Sequence, residues 1–266
     1  VVVPTTSGTG SECTGVAVIR NDENGVKMEF LSPFVQPDAA VIDPRMTTGL
    51  PPKATASTGF DAMVHAIEAC TCLQANPMST AYGTTAIKLI CENLEEATRN
   101  GSNTKARYAM AVASTMAGGA FSNSMEGAVH AIGHALGGVC HVPHAVAMTI
   151  LLPHVMRYNL ERCQESYAAL LPWLVGLDAA MATPAEKRAE AAIEALQTMT
   201  AATCKVLRDG KLTVLPSDLP LTLREAGVKK DDFAKVAEFA VNDGALIVNP
   251  RAADENQVIE ILNAAY

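Results

Sequence analysis

The sequence has few charged or aromatic residues, and it has no long basic or apolar run. Charged residues make up 18% and aromatic residues 5% of the 266 positions. The net charge of −8 and the absence of a Lys/Arg cluster argue against nucleic-acid binding, which needs a basic face. No apolar run approaches the roughly 20 residues of a membrane-spanning helix. We therefore expect an acidic, soluble protein that contacts neither nucleic acid nor membrane.

The seven cysteines form no C-x-x-C pair, so the sequence offers no zinc-ribbon or thioredoxin motif. Their odd number and irregular spacing favour reduced cysteines within a core. Residues 1–12 lack the basic start and long apolar centre of a signal peptide, and the cytoplasm is the expected compartment. The chain also begins within an apolar run at residues 1–3, without an initiator methionine, which indicates a fragment.

Residues that favour helices are plentiful. Apolar residues make up 49% of the chain, with abundant Ala, Leu and Met. Residues 1–44 have strand and turn character, with short apolar runs at 1–3, Val16–Arg20 and 39–42. Beyond Pro51 the apolar spacing of three and four predicts helices at 53–73, 78–98, 103–120, 124–138, 144–158, 160–174, 184–208, 229–241 and 255–265. The predicted fold is mainly α, with about nine helices after a small β-containing segment.

Four of the six histidines lie between positions 130 and 144. His130 and His134 are four residues apart, which places them on one face of a helix. A glycine pair at 137–138 is expected to end that helix, and Pro143 to begin the next one, with His144 in its first turn. A reversal of this kind can bring His144 back toward His130.

A second pair with the same spacing is formed by Asp61 and His65. Its neighbours are apolar, so the pair is expected on a largely buried helix, where unpaired polar groups cost a few kcal/mol (about 2–7). One divalent ion, Fe²⁺ or Zn²⁺, would satisfy this pair together with His130 and His144.

Simpler interpretations compete with the metal site. Asp61 and His65 could form an ordinary hydrogen-bonded helix pair, and His130 and His134 could be core histidines. Glu68 could support a metal ligand from behind, but a solvated helix face is the favoured interpretation. It is the occurrence of both pairs in one chain that favours the metal. The polar loop at residues 4–12 could approach a phosphate or a nicotinamide, although by itself a plain turn is the better interpretation.

Taken together, these motifs resemble the iron-containing (group III) alcohol dehydrogenases over the C-terminal two thirds of that family. The matching segments are PTTSGTGSE at 4–12, Lys27, GLPP at 49–52, GFDAMVHAIE at 59–68, the histidine segment at 130–144, ILLPHV at 150–155 and NPR at 249–251. The Asp/His helix and the histidine segment are highly specific together, whereas the threonine-rich loop alone would not be.

The resemblance implies a role for each matching residue. The metal, Fe²⁺ or Zn²⁺, would be held by Asp61, His65, His130 and His144. His134 would transfer a proton in the catalytic cleft. NAD or NADP would be contacted by Thr5, Thr6 and Thr9 with Lys27 nearby, and would pack against Met46 and Leu50. The implied activity is the interconversion of a small alcohol and its aldehyde by hydride transfer.

The resemblance also implies two domains and leaves alternatives open. Residues 1–44 would be a remnant of the N-terminal nucleotide-binding domain, and residues 45–266 the all-helical catalytic domain. The family's Gly-rich pyrophosphate loop is absent, so a second hypothesis is a metal-binding helical module without turnover. A non-redox relative is a third hypothesis, which His65 disfavours. Unpaired strand edges in the remnant favour a homodimer.

Overall fold

The computed structural model describes residues 1–21, 23, 26–208, 211–214 and 217–266. The amino-terminal part forms an antiparallel pair, β1 (Val16–Arg20) and β2 (Lys27–Leu31), in which Val18 is opposite Glu29. The sequence predicts β1 but not β2. The other two predicted runs meet in a single parallel bridge between Val2 and Ala40.

Helices make up most of the described chain and confirm the mainly α fold class. Within the described residues they are α1 (Pro52–Thr71), α2 (Pro77–Arg99), α3 (Thr104–Phe121), α4 (Ala128–Val139), α5 (His144–Val175), α6 (Leu177–Ala182), α7 (Arg188–Cys204), α8 (Phe233–Val241) and α9 (Glu255–Ala264). A second antiparallel pair, β3 (Lys205–Arg208) and β4 (Lys211–Val214), follows α7.

The helix boundaries depart from the predicted ones where the backbone breaks the pattern. α4 begins at Ala128 rather than at 124, because Met125 is left-handed (φ 73°) and Gly127 is extended. The two helices predicted at 144–158 and 160–174 correspond to α5, in which two helical segments meet at a kink at Cys163 (φ −117°, ψ 15°) rather than at the predicted break. The helix predicted over 184–208 ends at Cys204, and α6 was not predicted.

The central helix of the core is α1, which packs against α2, α3 and α5. Most of its 20 residues are buried, as expected for a helix that is apolar on nearly every side. Its approach to α2 is close: a Cβ on Gly83 would lie 2.8 Å from the carbonyl oxygen of Ala66. The burial of α1 carries its polar residues Asp61, His65 and Glu68 into the interior.

None of the described helices is both long and apolar enough to cross a membrane. Six cysteines with described side chains are free thiols: Cys13, Cys70, Cys72, Cys91, Cys140 and Cys163. Burial raises the pKa of Cys70 and of Cys91 to about 12, so both thiols stay protonated at neutral pH.

Candidate metal centre

The four predicted metal ligands come together from three helices. Asp61 and His65 lie on α1, His130 lies on α4, and His144 is the first residue of α5. All four line a cleft of about 880 Å³ that also contains His134. The chain reversal between α4 and α5 places His144 beside His130, with ring centroids 5.6 Å apart.

The distances among these side chains are short enough for one ion. Donor atoms of Asp61, His65 and His130 all lie within 4.8 Å of one another. Nε2 of His144 lies 3.4 Å from Oδ1 of Asp61. The rings of His65 and His130 stack with their centroids 4.6 Å apart. Asp61, His65 and His130 are buried, and His144 is partly exposed at the cleft.

Unsatisfied polar atoms show that these residues fit a metal. Oδ1 of Asp61 and Nε2 of His130 are buried with no hydrogen-bond partner in the described chain, and so are Nδ1 of His65 and Nδ1 of His144. A buried polar atom without a partner costs about 1–3 kcal/mol, so the unpaired Oδ1 of Asp61 and Nε2 of His130, which both face the cluster, call for an explanation. Three imidazoles and a carboxylate form a donor set that Fe²⁺ and Zn²⁺ both accept.

Asp61 and His130 have the protonation states that suit a cation, whereas the pKa of His65 is raised, because burial, which lowers it, is outweighed by Asp61 and the neighbouring glutamates. Burial would raise the pKa of Asp61, but His65 and His144 outweigh it and lower the pKa, so Asp61 is ionised. Burial and the neighbouring imidazoles of His65 and His144 lower the pKa of His130 far below its usual value. His130 is therefore neutral, which is the form that binds metal.

Glu68 holds His130 in place from behind. Its Oε2 lies 2.6 Å from Nδ1 of His130, and its carboxylate also accepts the backbone N–H groups of Gly127 and Val129. This contact leaves Nε2 of His130 facing the cluster, the arrangement that orients metal-binding histidines in many proteins. Burial raises the pKa of Glu68 to about 8, against the effect of the Val129 N–H. The expectation of a solvated Glu68 is wrong, because this residue lies on the buried face of α1.

His134 belongs to a different group of side chains. Its Nδ1 lies 3.0 Å from Oδ2 of Asp243 and 3.0 Å from Oε1 of Glu29. Burial opposes a charged imidazole, but the hydrogen bonds with Asp243 and Glu29 outweigh it and raise the pKa of His134 to about 10. His134 thus holds a proton at neutral pH, beside the metal cluster and 5.4 Å from the ring of His144.

Two family models match nearly the whole chain. The model described as "Fe-containing alcohol dehydrogenase family, C-terminal" covers residues 55–266, and "Iron-containing alcohol dehydrogenase" covers residues 1–44. The chain belongs to the iron-containing alcohol dehydrogenase family. This confirms the resemblance that the motifs predict.

Relatives in this family show how much of their length the chain spans. A 1,3-propanediol dehydrogenase of Citrobacter freundii is 40% identical over all 266 residues, which span 65% of that protein. Alcohol dehydrogenase 4 of Saccharomyces cerevisiae is 37% identical over 99% of the chain and 64% of its own length. The crystal structure of a 1,3-propanediol oxidoreductase superposes with a TM-score of 0.90 at 38% identity, covering 99% of this chain and 65% of that one.

The residues predicted to contact the dinucleotide fall into two groups, those that line the cleft and those that do not. Thr9 and Lys27 line the cleft, whereas the other four, Thr5, Thr6, Met46 and Leu50, lie outside its wall. The loop that carries Thr9 is seated on two helices by its glycines. A Cβ on Gly8 would lie 2.7 Å from Cβ of Thr58 in α1, and a Cβ on Gly10 would lie 2.6 Å from Cα of Gly118 in α3. These close approaches hold Thr9 at the cleft entrance.

Several functional candidates in this family member are absent from the sequence-based prediction. Glu29 and Asp243 reach His134 from β2 and from the turn after α8, a juxtaposition that local spacing does not reveal. Glu126 is different, because it lies four residues before His130, as His134 lies four residues after it. The same i, i+4 spacing could therefore have identified Glu126.

Proposed function

We propose that the chain carries the metal centre and cleft of an alcohol dehydrogenase that interconverts an alcohol and its aldehyde with NAD or NADP. The observation that supports this most strongly is the convergence of Asp61, His65, His130 and His144 on one cleft, where Oδ1 of Asp61 and Nε2 of His130 are buried without a hydrogen-bond partner among the described residues. Relatives named 1,3-propanediol dehydrogenase and alcohol dehydrogenase support a short alcohol or diol as the substrate class.

The chain's own residues account for binding and for proton handling. When bound, the divalent ion supplies Lewis-acid stabilisation of negative charge on oxygen, and the nicotinamide exchanges a hydride with carbon. His134 holds the proton that aldehyde reduction consumes, and Asp243 and Glu29 keep it on the imidazole. Because its pKa is raised to about 10, His134 is protonated at neutral pH and can act as a general acid in the reducing direction.

The cofactor and the metal are further parts of the proposal. Lys27 places a positive charge in the cleft near Asp61 and Asp243, although burial lowers its pKa. We assign Thr9 and Lys27 to the nicotinamide end of the dinucleotide, and Thr5, Thr6, Met46 and Leu50 to contacts farther out, where residues 1–44 join the helical residues 45–266. Fe²⁺ is the proposed native ion, and Zn²⁺ binds the same donors.

A second candidate function is a metal-binding helical module without turnover. One pair of measurements separates the two. The purified 266-residue chain is loaded with Fe²⁺ or Zn²⁺, and the bound metal is quantified. Reduction of NAD and of NADP is then followed with 1-propanol and with 1,3-propanediol.

The dehydrogenase proposal expects one ion per chain and metal-dependent reduction that the His130→Ala variant lacks. Stoichiometric metal without reduction at millimolar dinucleotide would support the helical module instead. Full metal content in the His130→Ala variant would refute the ligand assignment itself.

A further inference from the structure

A second carboxylate, that of Glu126, lies at the metal centre. Its Oε1 is 3.3 Å from Nε2 of His65 and 3.5 Å from Nε2 of His130. The Glu126 side chain is 18% exposed, so it forms the boundary between the buried ligands and the open cleft. None of the residue roles that the family resemblance implies includes it.

The backbone before α4 directs Glu126 into the cleft. Met125 adopts a left-handed conformation (φ 73°), which is costly for a residue with a Cβ, and its N–H bonds the carbonyl of Phe121 at 2.6 Å. Gly127 then continues in an extended conformation, and α4 starts at Ala128. Strained residues of this kind persist where the surrounding structure fixes them, often at functional sites. Here the strain places Glu126 one turn before His130 and on the same side.

The distances are those of neighbouring donors around one ion. Metal–ligand bonds of about 2.0–2.2 Å at angles between 90° and tetrahedral separate adjacent donors by about 3.0–3.5 Å. The two Glu126 contacts lie within that range, as does the 3.4 Å between Asp61 and His144. An oxygen that simply blocked the site would not need to lie at this distance from two imidazole nitrogens at once.

We propose that Glu126 provides a fifth donor to the ion, an inference that rests on the metal site of the proposed function. The resulting set has three imidazoles and two carboxylates, with the open cleft on the remaining side for substrate. Structural and catalytic Zn²⁺ sites are mostly four-coordinate, whereas Fe²⁺ accepts sets with more oxygen donors. Glu126 therefore shifts the preference of the centre toward Fe²⁺ and similar ions.

The alternative is that Glu126 pairs with the imidazoles only in the absence of an ion and moves away when one binds. Metal affinity separates the two. Co²⁺, Fe²⁺ and Zn²⁺ dissociation constants are measured by chelator competition for the full chain and for its Glu126→Gln and Glu126→Asp variants. The visible absorption of the Co²⁺ form reports the coordination number directly. Glu95→Gln is the matched control, because it removes a carboxylate that pairs with Arg99 at the surface of α2, away from the cleft.

If Glu126 is a fifth donor, Glu126→Gln should weaken Co²⁺ and Fe²⁺ binding at least about tenfold, because removal of a hydrogen-bond partner behind a ligand already causes that loss. Zn²⁺ binding should weaken less. The Co²⁺ bands should intensify as the coordination number falls, and Glu126→Asp should fall between. The Glu95→Gln control should bind like the original chain. Unchanged or tighter binding by Glu126→Gln, with an unchanged Co²⁺ spectrum, would overturn the inference and leave the four-ligand site standing. Failure of the original chain to bind any of the three ions would refute the metal site and this inference together.

Discussion

Replacement of Glu68 by glutamine tests how strongly Glu68, which lies behind His130, contributes to stability and to metal affinity. Above the pKa of about 8 that burial gives Glu68, its two ionised carboxylate oxygens serve three donors, so the assays are run near pH 9. Oε2 accepts from Gly127 and lies at Nδ1 of His130, while Oε1 accepts from Val129. Glutamine has nearly the same shape but only one accepting oxygen, and its NH₂ group can only donate.

Either orientation of the glutamine leaves a buried donor without an acceptor. With its oxygen at the Oε2 position, the NH₂ group faces the Val129 N–H. With its oxygen at the Oε1 position, both Gly127 and His130 lose their acceptor. One unsatisfied buried donor costs about 1–3 kcal/mol, so Glu68→Gln should lower the free energy of unfolding by at least that amount. Loss of the carboxylate from a metal-binding histidine should also weaken metal affinity about 10–100-fold.

Two assays read these effects separately. Urea unfolding of the metal-free chain gives the stability loss, and chelator competition with Zn²⁺ gives the affinity. A Glu95→Gln variant on the exposed side of α2 controls for charge, since its partner Arg99 is also at the surface. If Glu68→Gln bound Zn²⁺ as tightly as the original chain, Glu68 would not orient His130, and this part of the account would be refuted.

Three other perturbations give defined outcomes. Gly127→Ala should lower the unfolding free energy by about 1–3 kcal/mol, because its Cβ would lie 2.9 Å from Oε1 of Glu68. Gly49→Ala should leave it unchanged, because nothing lies within 4 Å of the added Cβ. Thermal unfolding of both variants tests this difference. The pKa of His134 is raised above its unfolded value of 6.5, so its stabilising contribution is complete below pH 6.5 and is lost as pH rises toward 10. Asp243→Asn should therefore destabilise the metal-free chain less at pH 10 than at pH 6. An equal loss of stability at both pH values would contradict this. Zn²⁺ at 100 times its dissociation constant should stabilise the chain by about 2.7 kcal/mol in urea unfolding, and the effect should vanish with a chelator.

The i, i+4 spacing of two residue pairs can be read directly from the sequence and was sufficient to predict which helix faces they share, whereas their binding of a metal stays a prediction. Asp61 with His65, and His130 with His134, lie on the helix faces that this spacing predicts. The sequence did not predict the burial of Glu68. The burial of α1 on nearly every side depends on α2, α3 and α5, and apolar periodicity does not show where those helices pack. The partners of His134 were equally inaccessible, since Asp243 is 109 residues away along the chain.

The predicted helix boundaries were wrong where a residue adopts a backbone conformation that its type disfavours. Methionine rarely has a positive φ, so nothing in the sequence shows that Met125 delays the start of α4. Pro153 and Pro172 lie within α5 although proline usually interrupts a helix, and the predicted break between two helices reduces to one non-helical residue, Cys163. Tertiary packing of the buried face of α5 outweighs these local preferences.

We expect one divalent ion to bind among Asp61, His65, His130 and His144. Anomalous diffraction from crystals of the full chain grown with Zn²⁺ or Co²⁺ would locate the ion. One strong anomalous peak should lie within bonding distance of all four side chains. The structure also contains a competing cluster of possible ligands, Glu29, His134 and Asp243. A peak at that cluster, or none at the four predicted ligands, would contradict the claim.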